Sequence, residues 1–420
     1  MTTIFNQYSK QSRFSLIVVL PFIVMALTAC AATPYSQQKL TANDGASEDF
    51  FGYSVALSDD TAVIGSFKDD DQILGVDAGS AYVFIRSGKI WRQQAKLTAI
   101  DGAPNDTFGG NVVLSGNTIV IGAMRDDDKG ENSGSAHVYI RSENIWNHQT
   151  KITAADGAKD DAFGQSLALS GNTVIIGAPR DDDNGENTGS VYVFTRIGTS
   201  WHQQAKLTAN DGAAGDLFGI SVALSDDTIL VGADLHDEIA PNAGAVYVYT
   251  RSGDNWSQQA KLTAADGSET DIFGVRVALS GDTALISARR DDDDIMGVDA
   301  GSAYVFVRSG TSWAQQEKLT APDGVADDRF GRSVALMGDT ALVGAMFRDD
   351  KGENSGSAYL FKRKDKVWVY KAKLTAADGA TGDVFGWSVA LSDETGIVSA
   401  SRDDDNGNES GSVYVFDIQK

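Results

Sequence analysis

The dipeptide Phe-Gly recurs seven times at nearly equal intervals and divides the chain into units of 55 or 57 residues. A fixed period of this length is typical of repeat architectures, in which each unit forms one supersecondary structure and buries its apolar face against its neighbours. The period therefore constrains the fold more than any single motif. The seven dipeptides begin at Phe51, Phe108, Phe163, Phe218, Phe273, Phe330 and Phe385.

The third unit shows the pattern within each repeat. It holds four short runs suited to β-strands, at 166–169, 173–178, 190–195 and 203–208, with no helical period. The middle two runs are apolar on both faces, which favours a sheet buried between two others. The fourth run alternates and carries a lysine in every unit, and we interpret this lysine as a charge that keeps an edge strand from pairing with other molecules.

The two ends of the chain are offset by one strand. The chain ends just after the third run of the seventh unit, and the missing fourth run lies near the start, at 37–42. We therefore predict an all-β, seven-bladed β-propeller of four-stranded antiparallel blades over 37–420, closed by the N-terminal strand. A linear stack of hairpins is the alternative, but it leaves the offset unexplained.

Residues 1–29 have the layout of a secretory signal, in which a basic start precedes an apolar run that ends at Cys30. Cys30 is the only cysteine in the chain. The sequence Leu27-Thr28-Ala29-Cys30 resembles the lipobox of bacterial lipoproteins, which implies cleavage before Cys30 and its lipidation. We expect an anchor in the outer membrane, with 30–36 as a short linker. Ordinary signal cleavage is the alternative.

The chain is strongly acidic, with a formal net charge of −23 at pH 7. Such a surface repels nucleic acid and anionic lipid headgroups. We therefore expect no nucleic-acid partner and no membrane contact beyond a lipid anchor.

One pattern recurs, with variations, in the seven units. It reads Phe-Gly, then Ser-Val-Ala-Leu, then Ile-Gly-Ala-Pro, then Gly-Ser-Val-Tyr-Val-Phe, and the literal Gly-Ala-Pro occurs once, at Gly177-Ala178-Pro179. Over 37–420 this pattern resembles the FG-GAP repeat of the integrin alpha-subunit propeller, and the resemblance implies a propeller that takes part in adhesion. Integrins carry calcium loops between the first two strands of a blade. Here that connection is only a tight turn, such as 280–283, so the integrin calcium sites cannot be carried over.

The acidic residues lie instead between the second and third runs. Clustered Asp, Asn and Gly can supply the oxygen ligands that Ca²⁺ prefers, although solvated turns are the competing explanation. The candidate calcium ligands are Asp126, Asp128, Asn132, Asp181, Asp183, Asn187, Asp403 and Asp405. A further Asp recurs two residues before each Phe-Gly, and its repetition in every unit favours a structural role.

Catalytic motifs are absent from the sequence, and none of the four histidines recurs in register. We therefore predict a non-enzymatic, envelope-anchored adhesion module that binds a protein or glycan through its inter-strand loops. A periplasm-facing scaffold in an envelope assembly is an alternative, and an enzyme acting on polysaccharide at the central channel is another. The loops that depart most from the repeat supply the candidate ligand-binding residues Leu235, His236, Asp237, Glu238, Asn242, Ile295 and Met296.

Overall fold

The computed structural model describes residues 35–293 and 295–419. The predicted lipidation site Cys30, with the signal and most of the linker, lies outside these residues. The described part of the chain consists of 28 strands and no helix, and hence no helix long and apolar enough to cross a membrane.

The strands form seven four-stranded antiparallel sheets, one for each predicted blade. The first strand of the chain is β1 (Gln37–Leu40). Blade one contains β2 (Ser54–Ser58), β3 (Thr61–Ser66), β4 (Ser80–Ser87) and β5 (Ile90–Leu97). Blade two contains β6 (Phe108–Ser115), β7 (Thr118–Ala123), β8 (Ser135–Ser142) and β9 (Ile145–Ile152). Blade three contains β10 (Ser166–Ser170), β11 (Thr173–Ala178), β12 (Ser190–Ile197) and β13 (Ser200–Leu207).

The remaining blades repeat this order. Blade four contains β14 (Ser221–Ser225), β15 (Thr228–Ala233), β16 (Ala245–Ser252) and β17 (Asn255–Leu262). Blade five contains β18 (Val277–Ser280), β19 (Thr283–Ala288), β20 (Ser302–Ser309) and β21 (Ser312–Leu319). Blade six contains β22 (Phe330–Met337), β23 (Thr340–Ala345), β24 (Ser357–Lys364) and β25 (Val367–Leu374). Blade seven contains β26 (Phe385–Leu391), β27 (Thr395–Ala400) and β28 (Ser412–Asp417).

The ring closes as the offset of the termini predicts. β1 pairs antiparallel with β28, in a register that sets Gln37 opposite Phe416 and Leu40 opposite Val413. The last blade is therefore built from both ends of the chain, and the predicted seven-bladed propeller with an N-terminal closing strand is confirmed.

The Phe-Gly motif serves the contact between blades. Phe108 is fully buried and packs edge-on against the aromatic side chains of β8. Gly109 has a φ of +91°, and a Cβ at this position would lie 2.2 Å from the carbonyl oxygen of Ser80 in the preceding blade. Only glycine allows the two backbones to approach so closely, so the dipeptide recurs wherever two blades meet.

A tryptophan lies on the outer strand of each of blades one to six. In blade three, the guanidinium carbon of Arg196 lies 5.5 Å from the centroid of the Trp201 ring, and its Nη1 donates to the Thr118 hydroxyl of blade two at 3.2 Å. The Trp201 indole Nε1 donates to Gln149, also in blade two, at 3.1 Å. These side chains therefore join blade three to blade two.

Candidate functional site

In an antiparallel blade, the connection from the second to the third strand and the connection to the next blade leave the sheet at the same end. We call this end the loop face; in blade three it is formed by 179–189 and 208–217. All the acidic loops and all the candidate ligand-binding residues therefore lie on this face. The axial channel opens onto it because the innermost strand of each blade also begins there.

The recurring lysine of the fourth strand has a different role from the one predicted. In blade two the Lys151 Nζ lies 3.0 Å from an Asp101 oxygen and 2.6 Å from oxygens of both Asp126 and Asp128. The side chain points into the acidic loop of its own blade instead of guarding a free edge. Equivalent ion pairs involve Lys39, Lys96, Lys206, Lys261, Lys318 and Lys373.

These ion pairs are partly buried and reinforced by tyrosine. In blade three, Asp181 is 3% exposed and accepts a hydrogen bond from the Tyr192 hydroxyl at 2.8 Å. Burial alone would lower the pKa of Lys206, but its hydrogen bonds to Asp156, Asp181 and Asp183 outweigh burial and raise that pKa. The lysine therefore stays charged and neutralises part of a cluster that would otherwise repel itself.

The predicted calcium ligands converge only in part. Asp126 with Asp128, and Asp181 with Asp183, meet around a lysine ammonium, as do Asp403 and Asp405 around Lys39. The two asparagines do not join them. Asn132 and Asn187 adopt positive φ angles of 54° and 50°, which asparagine tolerates, and the Asn132 amide donates instead to Asp160 at 2.8 Å. The ammonium lies where a cation would bind, so calcium at these loops stays a prediction that must overcome the lysine charge.

Blade four has the one group of three metal-ligating side chains within reach of one another in the described chain. Ligand atoms of Asp211, His236 and Glu238 all lie within 4.8 Å of one another and could hold a metal ion. The Lys261 Nζ contacts all three and is 3.0 Å from the His236 Nε2. His236 replaces the buried Asp of other blades and is itself only 8% exposed.

The other predicted ligand-binding residues of blade four shape its loop. Leu235 is half-buried, and the Asp237 carboxylate accepts the backbone N–H of Asn242 at 2.7 Å. Asn242 has a φ of +53°, like its counterparts in other blades. These three residues therefore contribute to the conformation of the loop, while His236 and Glu238 supply its metal-ligating side chains.

The residues Ile295 and Met296 lie in the blade-five loop, which has the same length and construction as the corresponding loop of blade one. Ile295 is 94% exposed, and its N–H and that of Met296 bind the Asp293 carboxylate. Ile73 in blade one is 91% exposed, in a loop of the same length built the same way on Asp71. No hydrogen bond or ion pair in 35–293 and 295–419 joins the blade-five loop to the blade-four loop.

The sequence analysis missed the lining of the axial channel. The residue after each Phe-Gly and the next one line a cavity of ≈ 230 Å³ at the centre of the ring. In blades one, three, four and six the second of these positions is a serine whose hydroxyl donates to a glycine carbonyl of the next blade, for example from Ser221 to Gly274 at 2.6 Å. In blade five this position is Arg276, whose Nη1 donates to the Val275 carbonyl at 2.8 Å.

Blades six, seven and one place an aromatic stack beside that arginine. The guanidinium of Arg332 lies over the indole ring of Trp387, and the Trp387 and Tyr53 rings are 5.4 Å apart. Arg332 is 8% exposed and its Nε has no hydrogen-bond partner within the described residues. The Nε of Arg289, the residue directly after β19, also has no hydrogen-bond partner within the described residues.

Asp234 is the buried acid whose charge acts on Arg276 and Arg289. Burial raises the pKa of its carboxyl to about 6, against the opposing charges of Arg276, Arg289 and Arg290. Burial also lowers the pKa of Arg289 to about 10, and the charges of Arg276 and Arg290 add to that effect. A guanidinium remains protonated in proteins at neutral pH, so the channel mouth carries net positive charge.

The position that follows Arg289 in blade five, with its counterparts in the other blades, adds positive charge at the outer surface of the loop face. In four of the seven blades this residue is an exposed arginine, and in a fifth it is a half-buried lysine. They are Arg125, Arg180, Arg290, Arg402 and Lys68. Register against Phe-Gly could have revealed the two channel arginines, because Arg276 stands where five other blades have serine and Arg332 stands where blade three has glutamine.

The recurring Asp two residues before each Phe-Gly closes a turn of the backbone, a structural role that its repetition favours. Asp161 is 4% exposed and accepts the backbone N–H of Ala158 at 2.7 Å, closing the turn three residues earlier. Burial raises the pKa of this carboxyl to about 6. The same holds for Asp49, Asp106, Asp271 and Asp383.

The fold and the loop face define a seven-bladed β-propeller whose axial mouth is polar and basic. The FG-GAP repeat family matches the chain in seven segments, at 35–84, 91–139, 146–194, 201–249, 256–306, 313–361 and 368–416, and the chain belongs to this family. The crystal structure of Saccharomyces cerevisiae Sqt1 is similar in fold, with a TM-score of 0.50 and 11% identity over 92% of this chain and 87% of that one. No curated protein matches the sequence.

Proposed function

We propose that this chain is a non-enzymatic binding propeller of the cell envelope that holds a protein or glycan ligand on its loop face. FG-GAP propellers are typically binding modules, which supports the general class. The lipobox-like sequence ending at Cys30 supports secretion and a lipid anchor, in the outer membrane if the cell has two membranes.

One observation carries the proposal. The loop-face side chains that break the sevenfold repeat come from adjacent blades: Asp234 and His236 from blade four, Arg276 and Arg289 from blade five, and Arg332 from blade six. A purely structural ring would repeat its solution in every blade, whereas a binding site needs one distinctive place. These departures supply it.

The test is binding of the purified propeller to arrays of glycans and of envelope and surface proteins. The matched variant replaces the eight residues Leu235–Asn242 with the eight residues found at Arg180–Asn187, so the loop keeps its length. We expect the wild type to capture a ligand and the graft to weaken that capture. A graft that binds as well as the wild type would move the site away from blade four, and no ligand on either array would contradict the proposal.

Location is tested separately by adding protease to intact and to lysed cells and following the protein with antibody. Digestion in intact cells is expected for a surface adhesion module. Protection until lysis would instead favour the periplasm-facing scaffold, which would then be sought among envelope assemblies.

A polysaccharide-active enzyme is the second candidate, because the axial cluster is the kind of out-of-register group that would favour catalysis. Tyr53 lies close enough to Arg276 and Arg332 to act on both electrostatically. Release of new reducing ends from any glycan that the propeller binds, lost in Tyr53→Phe, would support catalysis. Intact glycan after prolonged incubation would support the binding module.

A further inference from the structure

The axial channel holds positive charge that the protein does not neutralise. Arg276 and Arg332 both line the cavity, and Arg289 lies close to them. No carboxylate of the described residues forms an ion pair with any of the three, and the buried Asp234, on which Arg276 and Arg289 act electrostatically, has an unpartnered Oδ1. One buried carboxyl therefore offsets only part of this positive charge.

Arg332 has the features of a prepared anion site. Its side chain is more than nine-tenths buried, its Nε is unpartnered, and Trp387 supports its flat face at 3.8 Å. A guanidinium presents its N–H groups in a fixed plane that matches the two oxygens of a carboxylate or sulfate. Since the indole covers one face of the guanidinium, the N–H groups remain at its edge to meet a ligand.

The repeat shows that these arginines are not needed to build the channel. Blade three has Gln165 where blade six has Arg332, and blade four has Ser221 where blade five has Arg276. Ser221 donates to the next blade, a contact that Arg276 gives up. A buried charge without a counterion is unfavourable for folding, so two such replacements at one place indicate a functional demand.

We propose that the loop-face mouth of the axial channel binds an anionic group, a carboxylate or sulfate carried by an acidic glycan. This inference deepens the proposed function by naming the ligand class. Arg276 and Arg332 bind the group that reaches into the channel. The exposed ring of Arg125, Arg180 and Arg290 contacts further anionic groups along the same chain.

The neutral part of the channel wall favours a glycan over an acidic peptide. In blades two, three and seven the cavity is lined by Asn111, Gln165 and Ser388, which offer amide and hydroxyl groups to a ligand rich in hydroxyls. The channel also presents the aromatic side chains of Tyr53 and Trp387. Such a lining matches a sugar ring that carries one charged substituent.

The experiment uses calorimetry with dextran sulfate, polygalacturonate, unmodified dextran, poly-glutamate and free sulfate as probes. Dextran and dextran sulfate share a backbone and differ in charge. The test variant combines Arg276→Ser with Arg332→Gln, which restores the residues of blades four and three, and R332K keeps the charge but not the planar donor set. R92Q removes one exposed arginine from the outer strand of blade one and controls for the loss of a positive charge away from the channel.

We expect the wild type and R92Q to bind at least one acidic glycan and not dextran, with affinity falling as salt rises. The double variant should bind at least about tenfold more weakly while its melting temperature is maintained or higher. R332K should bind less tightly than the wild type. Should the double variant fail to fold, R332K and R92Q alone decide the comparison.

Equal binding by the double variant would overturn the inference, because the ligand would lie elsewhere. Binding of poly-glutamate but of neither acidic glycan would overturn the assignment to a glycan. A neutral ligand found on the arrays, with no response to any acidic probe, would support the proposed function and overturn this inference. Sulfate binding lost in the double variant, with no ligand on any array, would support the anion site and contradict the proposed function.

Discussion

The guanidinium carbon of Arg332 lies 3.8 Å from the centroid of the Trp387 indole ring, in the wall of the axial channel. The two residues occupy the same repeat position in consecutive blades, directly after Phe-Gly. The Trp387 Nε1 donates to the Tyr53 carbonyl at 3.1 Å, so the pair is fixed to blade one as well. Three blades thus hold this arginine in place, and its donors are oriented without any help from a ligand.

We predict that Arg276→Ser stabilises the propeller. The change removes a poorly compensated buried charge and introduces the residue that blade four carries at this position. The free energy of unfolding should increase by about 1 to 3 kcal/mol, seen as a higher melting temperature at low salt. Ser221→Ala removes no charge, only the hydrogen bond to Gly274, and should decrease the free energy of unfolding by about 1 kcal/mol. A lower melting temperature for Arg276→Ser would contradict the interpretation.

Lys206→Met should destabilise blade three and make it respond to calcium. It leaves Asp156, Asp181 and Asp183 without their ammonium, at a cost of about 3 kcal/mol for the buried carboxylate. Ca²⁺ should therefore raise the melting temperature of this variant more than that of the wild type. Lys206→Arg retains the charge and serves as the control. Equal calcium responses in all three proteins would show that the lysine does not compete with the ion.

Stability should rise as the pH falls from 7 to about 5. Asp161 and its four equivalents bind protons in the folded state up to about pH 6, whereas an unfolded Asp releases them near its ordinary pKa of 3.8. Between these values the folded state holds more protons, so the free energy of unfolding decreases as the pH increases through this window.

Thermal melts at fixed ionic strength across about pH 3 to 7 measure this effect. Asp161→Asn removes one titrating group and should reduce the slope. Below the ordinary Asp pKa of 3.8 the trend should reverse, because some carboxyls have a lowered pKa in the folded state. Asp156 is one of them: burial alone would raise its pKa, but its hydrogen bond to Lys206 outweighs burial. A melting temperature that increases steadily from pH 4 to 7 would contradict the predicted sign.

Gly109→Ala should destabilise the contact between blades one and two by more than about 2 kcal/mol, because its Cβ would overlap the Ser80 carbonyl oxygen in a backbone conformation already unfavourable for alanine. Gly116 has a φ of +56° with no atom within 4 Å of a built Cβ. Gly116→Ala therefore tests the conformational cost alone, about 1 kcal/mol. Similar melting temperatures for the two variants would show that the close approach is unimportant.

Removing residues 1–42 should leave β28 with an unpaired edge and cause self-association through that edge. Size-exclusion chromatography and thermal melts would measure the effect, with removal of 1–34 as the control that retains β1. A monomeric, equally stable product of the longer deletion would contradict the importance of the closing strand.

The fold could be predicted because the same strand pattern recurs in seven units of the sequence. Repetition of Phe-Gly and of strand-compatible runs averages out local ambiguity, and the offset of the termini identifies the closing strand. The site is harder to predict, because its residues depart from the repeat. Arg276 and Arg332 each occupy a repeat position that holds arginine in only one blade. They lie 56 residues apart in sequence, and only the closed ring brings them into one cavity.

The lysines were misread for a different reason. A charge on the fourth strand fits an exposed edge, and sequence alone does not show that Lys151 reaches across to the acidic loop of its own blade. The register that pairs His137 with Lys151 determines this direction, and register is a property of the sheet. The positive φ of Asn132 and the hydrogen bond from its amide to Asp160 likewise could not be read from the sequence, and its role as a calcium ligand stays a prediction.

The pairing of β1 with β28 also sets the order in which the protein can be completed. During synthesis each of the first six blades has all four of its strands as soon as its own segment has emerged. Leu40, however, cannot pair until Val413, far along the chain, has been made. Until then the ring is an open arc with exposed strand edges at both ends. Closing it is a long-range step with a large loop-closure entropy, and it converts a growing row of blades into one cooperative unit only once β28 has been made.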